Sequence, residues 1–127
     1  MKFVYKPEGA DPKVWDFKPN KLMNVESEKI EDLTGWTYQE FGEKFMMGST
    51  KAYHALLYVF LKRETPTLKY DQVQFAMDEI EVEFGDEEKI ALVDAMREAE
   101  AAGQLDDDEL AQLRVMEAEV GPKEKQE

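Results

Sequence analysis

The segment from Gly48 to Pro66 limits the fold more than any other part of the chain. It contains seven consecutive apolar residues, 55–61, between a Gly-Ser pair and a Thr-Pro pair. On a helix its apolar side chains cover most of the circumference, which is typical of a helix packed on all sides. The run is far shorter than the ~20 residues that a transmembrane helix needs. The segment therefore predicts a central, buried helix that begins at Ser49 and ends at Thr65.

The chain before this helix predicts two short strands and two helices. The alternating stretches KFVY and VWDF, separated by proline and glycine, are typical of strands. In the second stretch Trp15 and Phe17 lie on one side, because successive side chains of a strand alternate. Asn24 is predicted to cap a first helix with the apolar residues Val25, Ile30 and Leu33, which ends at Gly35.

The second predicted helix has the strongest start signal. Thr37 and Glu40 have the spacing of a capping box, and Trp36 and Phe41 occupy the two positions of a hydrophobic staple. Gly48 is placed to end this helix in a left-handed conformation. A tight corner to the central helix is expected there.

The chain after the central helix becomes strongly acidic. A short helix after Asp71 and an extended piece to Phe84 are expected. Two further helices follow, one over 86–102 and one capped by Asp106 with Glu109, which stops at Gly121-Pro122. A hairpin of these two helices is one possibility, but their thin apolar stripes and high charge predict a loosely attached arm that becomes ordered on binding. The predicted fold is mainly α, with a short extended or β N-terminal segment, a helical domain at 1–85, and an acidic helical arm and disordered tail at 86–127.

The charge of the chain excludes several partners. Residues 1–69 contain 11 basic and 10 acidic side chains, whereas residues 70–127 contain 5 and 19, and the net charge is −13. Such a surface repels phosphates and anionic lipids, so neither nucleic acid nor membrane is an expected partner. The first ten residues lack the apolar run of a secretory signal, which predicts a cytoplasmic location.

The sequence offers little catalytic chemistry. His54 is the only histidine, and no nucleophile or orienting carboxylate accompanies it in a motif, so a structural role is predicted. There is no cysteine, no phosphate-binding loop and no HExxH or GxSxG motif. The acidic run beginning at Asp106 lacks the alternating ligands and the glycine of a calcium loop. We therefore expect no enzyme, no cofactor and no metal.

Aromatic and methionine side chains are the candidates for partner contact. Methionine is adaptable and recurs on surfaces that accept varied helices. The predicted partner-binding residues are Trp15, Phe17, Trp36, Met46 and Met47.

Four elements, in this order along the chain, resemble the tail assembly chaperones of long-tailed bacteriophages, in particular those of actinobacterial phages. The resemblance covers roughly residues 13–85. It rests on Trp15-Phe17-Pro19, on an acidic helix to Thr34-Gly35, on Glu40-Phe41-Gly42, and on a Leu-Leu-aromatic helix ending Lys62-Arg63-x-x-Pro66.

The resemblance implies a non-enzymatic protein that coats the phage tape measure protein, keeps it soluble and helps recruit the major tail protein. Such a protein acts in the host cytoplasm and is absent from the mature virion. A homo-oligomer is compatible with the sequence. The alternatives are a minor structural head-tail or tail component of the virion, or an acidic decoy that mimics DNA.

Overall fold

The computed structural model describes residues 1–120, and the chain divides into two compact units, Met1–Glu83 and Phe84–Glu127. The fold is mainly α with a small three-stranded sheet, as predicted. The division falls two residues before the expected boundary. The elements are β1 (Lys2–Tyr5), β2 (Lys13–Asp16), α1 (Asn24–Thr34), α2 (Tyr38–Met46), α3 (Thr50–Glu64), β3 (Ile80–Glu83), α4 (Asp86–Ala101) and α5 (Asp107–Val120), with 3-10 turns at Pro19–Lys21, Tyr70–Gln72 and Met77–Glu79.

The central helix α3 organises the core of the first unit, as predicted. Ala52 and all residues from 55 to 60 are buried. The ring of Phe60 lies 5.1 Å from that of Trp15, 6.0 Å from that of Phe17 and 6.1 Å from that of Phe3, measured between centroids. The sheet therefore covers one side of α3 through a cluster of aromatic rings, which bury large apolar areas.

The sheet has the antiparallel order β2-β1-β3. Phe3 on β1 pairs with Trp15 on β2 and with Val82 on β3. The two predicted strands and the extended piece are thus confirmed. The prediction of a helix after Asp71 is wrong, because this segment forms two 3-10 turns. The chain then pairs with the free edge of β1, and this pairing satisfies its backbone hydrogen-bonding groups.

The helix ends follow the predicted local signals at three positions. Thr37 accepts a hydrogen bond from the backbone N–H of Glu40, whose carboxylate accepts one from Thr37 in return. Gly48 adopts φ +83°, and its N–H donates to the carbonyl of Phe45, which closes a Schellman motif. The hydroxyl of Ser49 then accepts from the N–H of Ala52 and caps α3.

The predicted cap at Asn24 is wrong. Met23 precedes the helix and Asn24 is already its first residue, so its amide donates to Glu28 at 2.9 Å instead of capping. Val25, one of the apolar residues of this helix, is 71% exposed. At 100° per residue Val25 lies about 140° around α1 from Ile30, which is off the buried stripe.

The second unit is a helical hairpin with its own small core. Val93 and Met96 of α4 pack with Leu113 and Met116 of α5, so the two helices form the hairpin that the sequence allowed but did not favour. Asp106 and Glu109 exchange hydrogen bonds of 3.1 and 2.8 Å as a capping box. The predicted stop at 121–122 and the predicted disordered tail lie outside the described residues.

Candidate functional site

Two of the predicted partner-binding residues belong to the core of the first unit. Phe17 is only 2% exposed and stacks on Phe45 at 5.4 Å, so its ring does not form part of the surface. This corrects the prediction that it contacts a partner. Trp15 is half-buried and stacks on Phe60 with an interplanar angle of 19°. Both side chains project from β2 or its end onto α3, because burying aromatic area there is favourable.

The other three residues lie nearer the surface. Trp36 and Met46 are half-buried, and Met47 is 36% exposed. The ammonium groups of Lys44 and Lys51 lie 5.6 and 5.2 Å from the centroid of the Trp36 ring, which is cation–π geometry. The structure therefore places Lys44 and Lys51 beside Trp36, a contact that the sequence did not predict.

A groove lies between α1 and α3 on the surface of the first unit. It has a volume of about 310 Å³. The exposed side chain of Val25 borders it on α1, and the buried side chain of Val59 borders it on α3. The residues that line this α1–α3 groove are Val25, Glu26, Lys29, Val59, Lys62 and Arg63.

One wall of the α1–α3 groove is held by an ion pair. Arg63 donates from Nε and from one terminal nitrogen to the two oxygens of Glu26, both at 2.7 Å. The hydrogen bond to Glu26 raises the pKa of Arg63 above its usual range. The same guanidinium lies 4.7 Å from the centroid of the Phe60 ring. These contacts restrict the rotamers of Arg63, so this wall is preorganised.

Among the described residues, no ion pair neutralises the remaining cations of the groove. Lys62 contacts the hydroxyl of Tyr58 at 3.1 Å and the carbonyl of Leu68 at 3.4 Å, and both acceptors are uncharged. Lys29 forms no ion pair within residues 1–120. Since Arg63 offsets the charge of Glu26, the groove carries an excess of positive charge.

Sequence reasoning missed this groove. Its one local signal is Val25, an apolar residue that falls outside the buried stripe of its helix. The residues of the α3 wall follow Val25 by 34 or more positions in the chain, and only the packing of α1 on α3 brings the two walls together.

His54 has a structural setting, as predicted. Its ring stacks on that of Tyr70 at 3.8 Å between centroids, and Nε2 lies 3.1 Å from the Tyr70 carbonyl oxygen. Between residues 1 and 120, no set of three or more His, Cys, Asp or Glu side chains is placed to hold a metal ion. Across the same range no helix is long and apolar enough to span a membrane.

Comparison with known proteins returns no matching family model, no matching curated protein and no matching solved structure.

Proposed function

We propose that this chain is a non-enzymatic tail assembly chaperone of a long-tailed phage, which binds helical segments of the tape measure protein and keeps them soluble. The observation that carries the proposal is the α1–α3 groove, where exposed Val25 lies beside buried Val59. The resemblance of residues 13–85 to this family supports the same function. The protein acts in the host cytoplasm during assembly and is absent from the finished virion.

The physical requirement for such a chaperone is an apolar surface that can cover an exposed helix stripe. Amphipathic helices bind in grooves through apolar side chains at one- and two-turn spacings. In the first unit the aromatic packing around Phe60 and the ion pair between Arg63 and Glu26 hold the groove in place. A preformed groove loses little conformational entropy on binding, so a small apolar contact supports useful affinity.

The charge of the second unit fits the same role. Residues 84–120 include 12 acidic and 3 basic side chains. A strong net negative charge opposes association between copies of a protein and keeps their complexes in solution. The family's second partner is the major tail protein, and we assign its binding to a different surface of the first unit. The candidate surface is the ring of Trp36 with the ammonium groups of Lys44 and Lys51 beside it.

The proposal is tested by co-expressing the chain with the tape measure protein of the same phage. We expect the chain to move the tape measure protein into the soluble fraction and to co-purify with it. Val25→Asp places a charge in the groove and is expected to abolish both effects. Val14→Asp is the matched control, since Val14 is an exposed valine on β2 that does not line the groove.

The proposal fails if the tape measure protein is equally soluble without the chain and the two do not co-purify. Electrophoresis of purified virions tests the structural alternative, because a chaperone is absent from them and a minor tail component is present at a fixed copy number.

A further inference from the structure

We propose that the α1–α3 groove is selective for an amphipathic helix with carboxylates on both flanks of its apolar stripe. The inference rests on the proposed function, since it names the kind of tape measure segment that the groove accepts. It is carried by the placement of charge around the two valines.

Each wall of the groove carries one valine and one lysine. On α1, Lys29 lies four residues after Val25, and on α3, Lys62 lies three residues after Val59. Residues three or four apart share a helix face, so each valine has a lysine one turn further along the same wall. The apolar strip is thus bordered by a cation on both helices.

The acidic residue of the groove does not cancel these two cations. Both oxygens of Glu26 accept hydrogen bonds from Arg63, so the pair is close to neutral. Among the described residues the ammonium of Lys62 contacts the neutral oxygens of Tyr58 and Leu68 and the ring of Tyr58, and it forms no ion pair. Lys29 and Lys62 therefore remain available to a carboxylate from a bound helix.

The net charge of the groove determines which helices it rejects. A helix with lysines beside its apolar stripe would bring like charges to Lys29 and Lys62, and like-charge contacts at an interface reduce affinity for the wrong partner. A helix with glutamates there gains two charge-assisted contacts. The chain as a whole has a net charge of −13 and would repel such an acidic helix, whereas the three cations and one carboxylate of the groove attract it.

Two synthetic helical peptides test the selectivity on the full chain. They share one leucine stripe, and either glutamates or lysines flank it. Fluorescence anisotropy at low salt is expected to give at least about tenfold tighter binding of the glutamate peptide, with the difference shrinking at high salt.

The double variant Lys29→Glu/Lys62→Glu is expected to reverse the preference, so that the lysine peptide binds more tightly. This gain of binding requires a folded groove and therefore separates loss of charge from loss of fold. The matched control is Lys21→Glu/Lys69→Glu, which changes the net charge equally at two exposed positions outside the groove and is expected to keep the wild-type preference.

Three results would overturn the inference. They are equal affinity of the wild-type chain for both peptides, no binding of either peptide, and an unchanged preference in Lys29→Glu/Lys62→Glu. If that double variant still solubilises the tape measure protein while Val25→Asp does not, the charge selectivity is wrong and the chaperone function stands.

Discussion

Arg63, in the last turn of α3, donates two hydrogen bonds of 2.7 Å to Glu26, in the first turn of α1. Paired contacts between a guanidinium and a carboxylate are among the stronger ionic interactions at a protein surface. We expect Glu26→Gln to lower the free energy of unfolding by about 1 kcal/mol, measured by urea denaturation.

The control for this prediction is Glu64→Gln. Glu64 forms an ion pair with Lys13 at 3.2 Å in which both side chains are largely exposed. Its loss is expected to cost less than about 0.5 kcal/mol. An equal loss of stability in the two variants would show that the Arg63–Glu26 ion pair contributes no more than the Lys13–Glu64 ion pair. Glu26→Gln also removes the negative charge of the groove, so it is expected to tighten binding of the glutamate-flanked peptide.

Phe60 is the residue on which the sheet and α3 converge. Its side chain is almost fully buried among the rings of Phe3, Trp15 and Phe17. Phe60→Ala is expected to destabilise the first unit by about 3–5 kcal/mol, because it removes buried area and leaves a cavity. Val14→Ala, on the exposed side of β2, is expected to change stability by less than about 0.5 kcal/mol. Chemical denaturation followed by tryptophan fluorescence measures both, and similar losses would contradict this picture of the core.

Two glycines of the first unit are expected to respond in opposite directions to alanine. Gly48 has φ +83°, where a side chain is strained, and Gly48→Ala is expected to cost about 1 kcal/mol. Gly42 lies inside α2, and a Cβ there meets no atom within 4 Å. Gly42→Ala is therefore expected to stabilise the protein by about 0.5–1 kcal/mol. Thermal unfolding checks the pair, and the same sign in both would contradict the assigned conformations.

Tyr38 makes the first unit sensitive to alkali. Burial, with a smaller effect from the charge of Glu26, raises the pKa of Tyr38 from 10.0 to about 12, and its hydroxyl donates to the carbonyl of Pro19 at 2.9 Å. The folded state thus holds this proton more tightly than the unfolded state. Its contribution to stability is complete below pH 10 and is lost as the pH rises through 12.

Urea midpoints measured from neutral pH to pH 12 test this expectation. The midpoint is expected to fall above pH 10, and less steeply in Tyr38→Phe. Burial also raises the pKa of Tyr53 and Tyr70, so part of the fall persists in the variant. A midpoint that rises with pH in this range would contradict the direction of these shifts.

The hairpin of the second unit depends on very few buried side chains. Leu113 is fully buried, in a core that contains four buried side chains. Leu113→Ala is expected to lower the free energy of unfolding of the second unit by about 2–5 kcal/mol. This is as much stability as a hairpin of this size can lose while it stays folded. Amide hydrogen exchange over residues 86–120 is expected to accelerate strongly. The control is Val115→Ala, since Val115 is an exposed valine of the same helix, and equal acceleration in both variants would contradict the assigned core.

The elements that sequence reasoning placed correctly are those controlled by neighbouring residues. The capping box at Thr37, the glycine stop at Gly48 and the cap at Ser49 each involve groups no more than five residues apart. The apolar run of α3 is equally local, because a helix that is apolar on most sides is stable only when it is central. These signals were sufficient to predict the mainly helical class and the central position of α3.

The errors concern side chains whose surroundings come from distant segments. Phe17 was predicted to contact a partner, but α3 and Phe45 bury it. The segment after Asp71 was predicted to be helical, but pairing with β1 decides its path. The sequence around an aromatic residue beside a strand does not indicate whether another part of the chain covers the side chain or leaves it exposed.

The sequence by itself determined the caps at Thr37 and Ser49, the central position of α3 and the division into a nearly neutral and an acidic part, because capping, periodicity and charge are local or additive properties. Only the tertiary structure decided that Val25 is exposed, that Arg63 neutralises Glu26, and that two lysines border one apolar groove. These relationships depend on how α1 packs against α3, and the hydrogen bonds between Arg63 and Glu26 join residues 37 positions apart.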